Sequence, residues 1–264
     1  MSTKFKSDPY NPNNRYITSE DVLNIFSKVN IKDIKIKDLS LYQTAFNHKS
    51  YCHMKDYEEY KKPKDCIELQ KSSYENLEFL GDAFLDVVIA EYLYKRYPNE
   101  NEGFLTKIKT RLVNGEQESY YSNCLKMNKL VLLSKHVEEN CDGRENIHIL
   151  EDIFEAFIGA LYLDTNDFYI VKRFIINLIE KYVDFPDLIM NDKNYKEQVL
   201  KYFQHNYNSN PTYEHFEESN DIFKCKILHD KKILAIGEGK TKKKAEQDAA
   251  YRSLVIENVL SEKL

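Results

Sequence analysis

Glu78 and Asp82 stand four residues apart in the run YENLEFLGDAFLDVVIAEYLY, and Glu75 lies one turn before them. At the helical period all three project from one face. Around them Leu77, Phe79, Leu80, Ala83, Phe84, Leu85, Val87 and Val88 are apolar nearly all the way round. A helix of that kind belongs inside a domain or at a subunit interface. A second run, ILEDIFEAFIGALYLD, sets Asp152 and Glu155 three apart among Ile153, Phe154, Phe157, Ile158 and Leu161. Acids partly buried in such surroundings repel one another and lose hydration unless a cation compensates. Gly159 sits in the middle of this second helix, at a cost of about 1 kcal/mol relative to alanine, which makes sense if another backbone packs against it. If the two helices cross with these faces together, four carboxylates converge. An all-oxygen donor set without His or Cys suits Mg2+ or Mn2+, not zinc. The chemistry that most needs it is phosphodiester hydrolysis, in which divalent ions make water a nucleophile and stabilise charge on the leaving oxygen. Acids at these spacings also commonly form a solvated helix face, as Asp86 and Glu91 are expected to do. Spacing by itself leaves both readings open.

The elements that must position these acids follow from periodicity. Thr18 or Ser19 is expected to cap a first helix through Asp21, Val22, Ile25, Phe26 and Val29. A second runs from about Leu39 to Ser50 and ends in FNHKSY. The acid-bearing helix spans Tyr74 to about Tyr97 and stops at Pro98. Glu102 and Gly103 open another, with Phe104, Leu105, Ile108, Leu112 and Val113 at helical spacing. Two more cover about Ile149–Leu163 and Phe168–Tyr182. No strand-like alternation precedes residue 185, so residues 18–183 read as an all-helical domain. Residues 1–17 read as a disordered lead, residues 52–73 as a polar surface insertion, and residues 184–193, with Pro186 and two Asn, as a linker. Beyond it the pattern changes to a short helix (about Tyr195–Tyr207), alternating stretches at Thr212–Ser219, Ile222–His229 and Ile233–Gly237, and a final helix from about Lys240 to Val259. Residues 194–260 therefore read as a small α+β module in the order α-β-β-β-α, with a tight turn at Asp230-Lys231-Lys232.

Composition narrows the function classes. Hydrophobic residues make up 42% and charged residues 31% of the 264, which suits a globular protein with a real core. No stretch approaches the roughly 18 apolar residues of a membrane helix, and the N-terminus lacks a signal-peptide core. The expectation is an intracellular protein with no membrane partner. Five scattered cysteines, never in a CxxC pair, argue against a disulfide scaffold or zinc ribbon and read as reduced thiols. A net charge of -5 does not announce a nucleic-acid binder, although binding depends on where charge sits locally.

NLEFLGDAFLDVVIAEYLY resembles the signature helix of the ribonuclease III family, whose core reads close to ERLEFLGDAVLD. FNHKSY is similar to the family's THxS segment, EGFLTKIKTRLV to its EGxLSxLRAxLV stretch, and EDIFEAFIGALYLD to its ADxFEALIGALYLD helix. The matches occur in order and cover most of residues 20–182. The resemblance implies that Glu78, Asp82, Asp152 and Glu155 hold the metal, with Asp82 and Glu155 central to catalysis. It implies that Glu75 and Glu102 are further acids near the scissile bond. Phe79 matches an aromatic that inserts into a partner subunit, which implies a homodimer with one cut per strand, leaving 5′-phosphate and 3′-hydroxyl ends. The implied cofactor is Mg2+, with Mn2+ as a substitute. The insertion at 52–73 departs from the usual shorter segment, and its expected role is an inert surface projection.

The C-terminal module resembles a double-stranded RNA-binding domain: PTYEHFEES its first strand, GEGKTKKKAEQDAA its last strand-to-helix junction. Lys242, Lys243 and Lys244 would start the final helix, where the helix dipole adds to their charge. Such a cluster can grip phosphates on either side of a groove, since duplex RNA is recognised mostly by shape. Lys231 and Lys232 are expected to add positive charge nearby. The short loop SNDIF and Leu200, which stands where the first helix often carries glutamine, point to weaker or more shape-only binding. The competing reading is a non-catalytic, double-stranded RNA-binding or ribosome-associated relative that has lost the acids; here the acid set is complete.

Overall fold

The computed structural model of the chain describes residues 7–190, 194–218 and 222–260. Its contacts divide it into two units, one ending at Leu188 and one beginning at Ile189.

The first unit is helical. Its helices are α1 Ser19–Lys28, α2 Leu39–Ala45, α3 Glu75–Arg96, α4 Glu102–Leu112, α5 Gly115–Leu125, α6 Lys135–Asn140, α7 Ile147–Thr165, α8 Phe168–Tyr182 and the short α9 Phe185–Met190, whose last two residues fall past the division. Thr18 caps α1 as expected, with Asp21 completing a reciprocal capping box. α7 is the central element. From Ile153 to Leu161 every residue is buried, and α3, α5, α2 and α8 all pack on it. Phe157 stands in an aromatic cluster with Phe26, Tyr42 and Phe174, ring centroids 5.4 to 5.5 Å away. Asp164, buried near the other end of α7, accepts from the backbone N–H groups of Lys37 and Asp38 and from the Tyr42 hydroxyl. The core helix is thereby tied to the chain leading into α2.

Four expectations need correction. Residues 7–17 are not a disordered lead. Tyr10 is buried, Asn11 and Asn14 donate to the Leu133 carbonyl (3.1 and 2.8 Å), and Leu133 N–H donates back to Asn14. These asparagine side chains pair with the backbone of Leu133, a role their turn-like composition does not signal. Residues 1–6 lie outside the described residues. The second helix ends at Ala45, and Asn47 forms a bridge with Leu132 before a 3-10 turn at Lys49–Tyr51. The insertion 52–73 is pinned at both ends and is not an open projection. His53 N–H donates to Gln70 O, Gln70 N–H to Tyr51 O, and Cys66 and Leu69 share a small core with Tyr10, Tyr51 and Leu132. Inside the expected linker, α9 buries Phe185 against Tyr92 and beneath the Arg96 guanidinium, 4.3 Å away. Residues 191–193 of that linker lie outside the described residues.

The second unit has the expected order: α10 Tyr195–Tyr207, β1 Thr212–Glu218, β2 Ile222–His229, β3 Lys232–Gly239 and α11 Lys242–Ile256, with the antiparallel sheet ordered β1-β2-β3. His229 pairs with Lys232, so Asp230 and Lys231 form a two-residue hairpin loop, both with positive φ (48° and 65°). The two helices cover one face of the sheet around Val199, Phe203, Cys225, Ile227, Ala249 and Leu254. The other loop of the sheet, at 219–221, lies outside the described residues. Among the described residues no helix is long and apolar enough to cross a membrane.

Candidate active site

The two acid-bearing helices, α3 and α7, cross backbone to backbone. A methyl group on Gly81 would stand 1.7 Å from the Glu155 carbonyl oxygen, and one on Gly159 would stand 2.2 Å from the Leu77 carbonyl oxygen. Only glycine at both positions allows this approach, which is the reason for the glycine in the middle of α7. The crossing sets Glu78 and Asp82, which flank Gly81, beside Asp152 and Glu155. Burial is graded across the four: Glu155 is 8% exposed, Glu78 and Asp152 are half-buried, and Asp82 is exposed at the rim. Among the described residues no three potential ligands are gathered tightly enough to enclose an ion. The carboxylates line one crossing without closing on one another, as like charges do.

Electrostatics mark the same place. Burial raises the Glu78 carboxyl from the usual 4.5 to about 7, with Asp152 and Glu75 adding to it. Burial raises Asp82, helped by Asp86. It raises Asp152 too, against the Tyr74 hydroxyl, which donates to Asp152 Oδ2 at 2.7 Å and favours the charged form. Glu155 is pushed up by burial and then by Glu118 beside it. Each group therefore holds a proton more tightly folded than unfolded. The stability Glu78 contributes is present below about pH 4.5 and is lost as pH rises through about 7. In EDTA the melting temperature is expected to fall between pH 5 and pH 8, and Glu78→Gln should flatten that fall. A melting temperature that is level or rises over this range in the unmodified protein would contradict the shifts.

The remaining sequence candidates are placed differently. Glu75, at the start of α3, is exposed and held by Ser73 Oγ (2.9 Å) and Lys49 Nζ (3.3 Å), which keep it below its ordinary range. Lys49 belongs to the FNHKSY segment, whose His48 is half-buried and is pulled down to about 4 by that burial. Glu102 is exposed in the first turn of α4, where its Oε1 accepts from Thr106 at 2.8 Å. Phe79 projects from α3 with 80% of its surface exposed.

Glu118 on α5 was not among the candidates. It is 3% exposed and lies against Glu155, with Glu151, Asp82 and Asp86 acting on it as well. Its signal in the chain is weak: of Glu118, Tyr121, Ser122 and Leu125, which share one helical face and are all buried, only Tyr121 and Leu125 are apolar.

In the second unit, Thr241 caps α11 by accepting from Lys244 N–H, and Gly239 lets the helix start against the end of β3. Lys242, Lys243 and Lys244 are exposed there and make no side-chain ion pair among the described residues. Lys231 and Lys232 are not their neighbours. They sit at the hairpin end of β3, and that strand's seven steps at about 3.3 Å each separate the two groups by roughly 23 Å. Positive charge therefore falls at two ends of the module, a geometry that periodicity along the chain does not reveal. Replacing Lys242 and Lys243 together with alanine is expected to weaken duplex binding and lower its salt slope by about 2. An unchanged slope would remove these lysines from the interface.

Residues 75–166 match the Ribonuclease III domain family, and residues 195–255 match the Double-stranded RNA binding motif. The chain is 36% identical to Ribonuclease 3 of Streptococcus gordonii, over 84% of this chain and 91% of that one. To Ribonuclease 3 of Borreliella afzelii it is 34% identical, over 84% and 86%. A probable ribonuclease 3 of Acanthamoeba polyphaga mimivirus is 33% identical over 92% of this chain, which spans only 46% of that longer protein. The nuclease domain of ribonuclease III from Campylobacter jejuni superposes with a TM-score of 0.50 at 32% identity, covering 61% of this chain and 98% of that one. The chain belongs to the ribonuclease III family, in its simple form of one nuclease domain followed by one RNA-binding domain. It is an endoribonuclease acting on double-stranded RNA.

Proposed function

We propose that the chain hydrolyses duplex RNA with divalent cations, Mg2+ foremost and Mn2+ as a substitute, held by Glu78, Asp82, Asp152 and Glu155. The observation that carries this reading is the Gly81–Gly159 crossing, which sets acids from two helices, from buried Glu155 to exposed Asp82, side by side. The donor set fits the ion, being all carboxylate. It also leaves Glu118 Oε2, buried, without a hydrogen-bond partner among the described residues. When bound, the cation supplies the positive charge that activates water and stabilises the leaving oxygen.

The chain's own residues do the rest. Glu155 anchors the floor of the site through its place in the crossing. The Tyr74 hydroxyl fixes the orientation of Asp152. Lys49 and Ser73 hold Glu75 at the rim, from which it and Glu102 would face the strand being cut. Lys242, Lys243 and Lys244 would grip phosphates. Phe79, burying its ring in a second copy, would gain about 1.5–3 kcal/mol of hydrophobic stabilisation, which supports a homodimer with two centres and one cut per strand.

The test is a long, end-labelled RNA duplex incubated with Mg2+ and, in parallel, with EDTA. Cutting that needs Mg2+, and fragments that ligate through a 5′-phosphate to a 3′-hydroxyl acceptor, are the expected results. EDTA-resistant cutting, or 5′-hydroxyl ends, would overturn the reading.

A further inference from the structure

The sequence around Glu118 reads GEQESYYSNCL, a polar helix whose inward face carries Ser119, Tyr121, Ser122 and Leu125 along with this single acid. Tyr121 packs at a tilt against Phe154 of α7, with ring centroids 5.5 Å apart and planes 48° apart, so the inward direction of α5 is fixed by an aromatic contact one turn from Glu118. That packing drives the carboxyl into the α3–α7 crossing. It is 3% exposed and beside Glu155, and its Oε2 is solvent-inaccessible without a hydrogen-bond donor among the described residues.

A buried carboxylate kept for structure alone is expected to have an Arg, a Lys or a pair of N–H groups facing it, because an unpaired buried charge is strongly destabilising. Around Glu118 the groups acting on it are all acids: Glu155, which shares a hydrogen bond with it, and Glu151, Asp82 and Asp86, which repel it. Lys109, the basic side chain that acts on Asp82, is itself paired with Asp86 at 2.8 Å. An apolar residue of similar volume would fill the position at lower cost. Retaining an acid there adds one more negative charge behind the most buried of the four proposed ligands.

We propose that Glu118 belongs to the cation site as a fifth acid, a positioning residue that holds the Glu155 carboxylate toward the ion and strengthens the site's hold on it. This rests on the reading of the four acids as a divalent-cation site. It assigns α5, which carries none of those four, a part in cation binding. The contact runs carboxyl to carboxyl, so Glu118 acts through Glu155 and need not touch RNA.

The experiment is titration of the full-length chain with Mn2+ alone, without RNA, reading free Mn2+ by electron paramagnetic resonance, together with melting temperatures in EDTA and in saturating Mn2+. The chains compared are the unmodified protein, Glu118→Gln, Glu118→Leu and Glu155→Gln. A lost orienting partner typically weakens metal binding about 10–100-fold, and both Glu118 variants are expected to fall in that range. They should melt higher than the unmodified protein in EDTA and gain less from Mn2+. A purely structural Glu118 gives the opposite pattern: lower melting in EDTA and unchanged Mn2+ affinity, which would overturn the proposal. If Glu155→Gln loses Mn2+ while both Glu118 variants retain full affinity, the proposal alone fails. If the unmodified protein binds no Mn2+, the cation-site reading fails and takes this inference with it.

Discussion

Glu155→Gln is expected to lower duplex cleavage about a thousandfold while leaving duplex binding unchanged. The residue combines three properties that no other acid among the described residues shares. It is the most buried of the four proposed ligands. Its backbone carbonyl forms the contact with Gly81 that sets the helix crossing. Its side chain lies against Glu118 and within the field of Asp82. Glutamine keeps the volume and one carbonyl oxygen but removes the charge. Preorganised charge of this kind in a water-poor site is worth about 3–4 kcal/mol of transition-state stabilisation, close to three powers of ten in rate. Binding should persist, because the lysines at the start of α11 lie in the second unit. The same substitution relieves repulsion with Glu118, so the melting temperature in EDTA is expected to rise. A gel-shift measurement, a single-turnover cleavage rate and a melting curve together decide it. Cleavage within tenfold of the unmodified rate, or a loss of rate accompanied by a lower melting temperature, would remove Glu155 from the chemistry.

Gly81→Ala is expected to cause the largest loss of stability from a single added carbon. The new methyl would stand 1.7 Å from the Glu155 carbonyl oxygen, 2.6 Å from its carbon and 3.0 Å from the Gly159 nitrogen. All three are backbone atoms, so no side-chain rotation relieves the clash and α3 must move off α7. Overpacking of a close-packed interior costs about 1–3 kcal/mol and occasionally more. At about 2–4 °C per kcal/mol for a domain of this size, the upper end corresponds to a drop of roughly 6–12 °C. Cleavage should suffer as well, since the shift separates Glu78 and Asp82 from Asp152 and Glu155. Gly103→Ala is the control. Its nearest neighbour would be Asn101 Oδ1 at 3.4 Å, and α4 there has room for a methyl. That variant should melt at or slightly above the unmodified temperature. If Gly81→Ala and Gly103→Ala melt together, the close crossing is wrong.

Both predictions depend on features of unequal legibility. The acids of α3 and α7, their shared faces and the purpose of Gly159 could be read from the chain, because helical periodicity is local and every residue carries its own evidence of it. A cap for α1 at Thr18 or Ser19 was legible for the same reason, as were the three antiparallel strands. Three helices were not, α9 inside the expected linker among them. In α5 the apolar signal is diluted by buried Ser119 and Ser122, and α6 is six residues long with none buried. With α5 went Glu118, whose significance depends on which helix it faces.

What the amino-acid sequence determined alone was the content of the candidate site: four acids on two apolar helices, a glycine to let them meet, and a lysine cluster at a helix start. Tertiary structure decided what stands beside what. It placed Glu118 behind Glu155, laid Asn11 and Asn14 along the Leu133 backbone, folded the 52–73 insertion onto its own small core, and put Lys231 and Lys232 at the far end of β3 from Lys242. Each of these is a contact between segments distant in sequence. The partners in such contacts are often backbone groups, which every residue carries alike, so no residue type announces them.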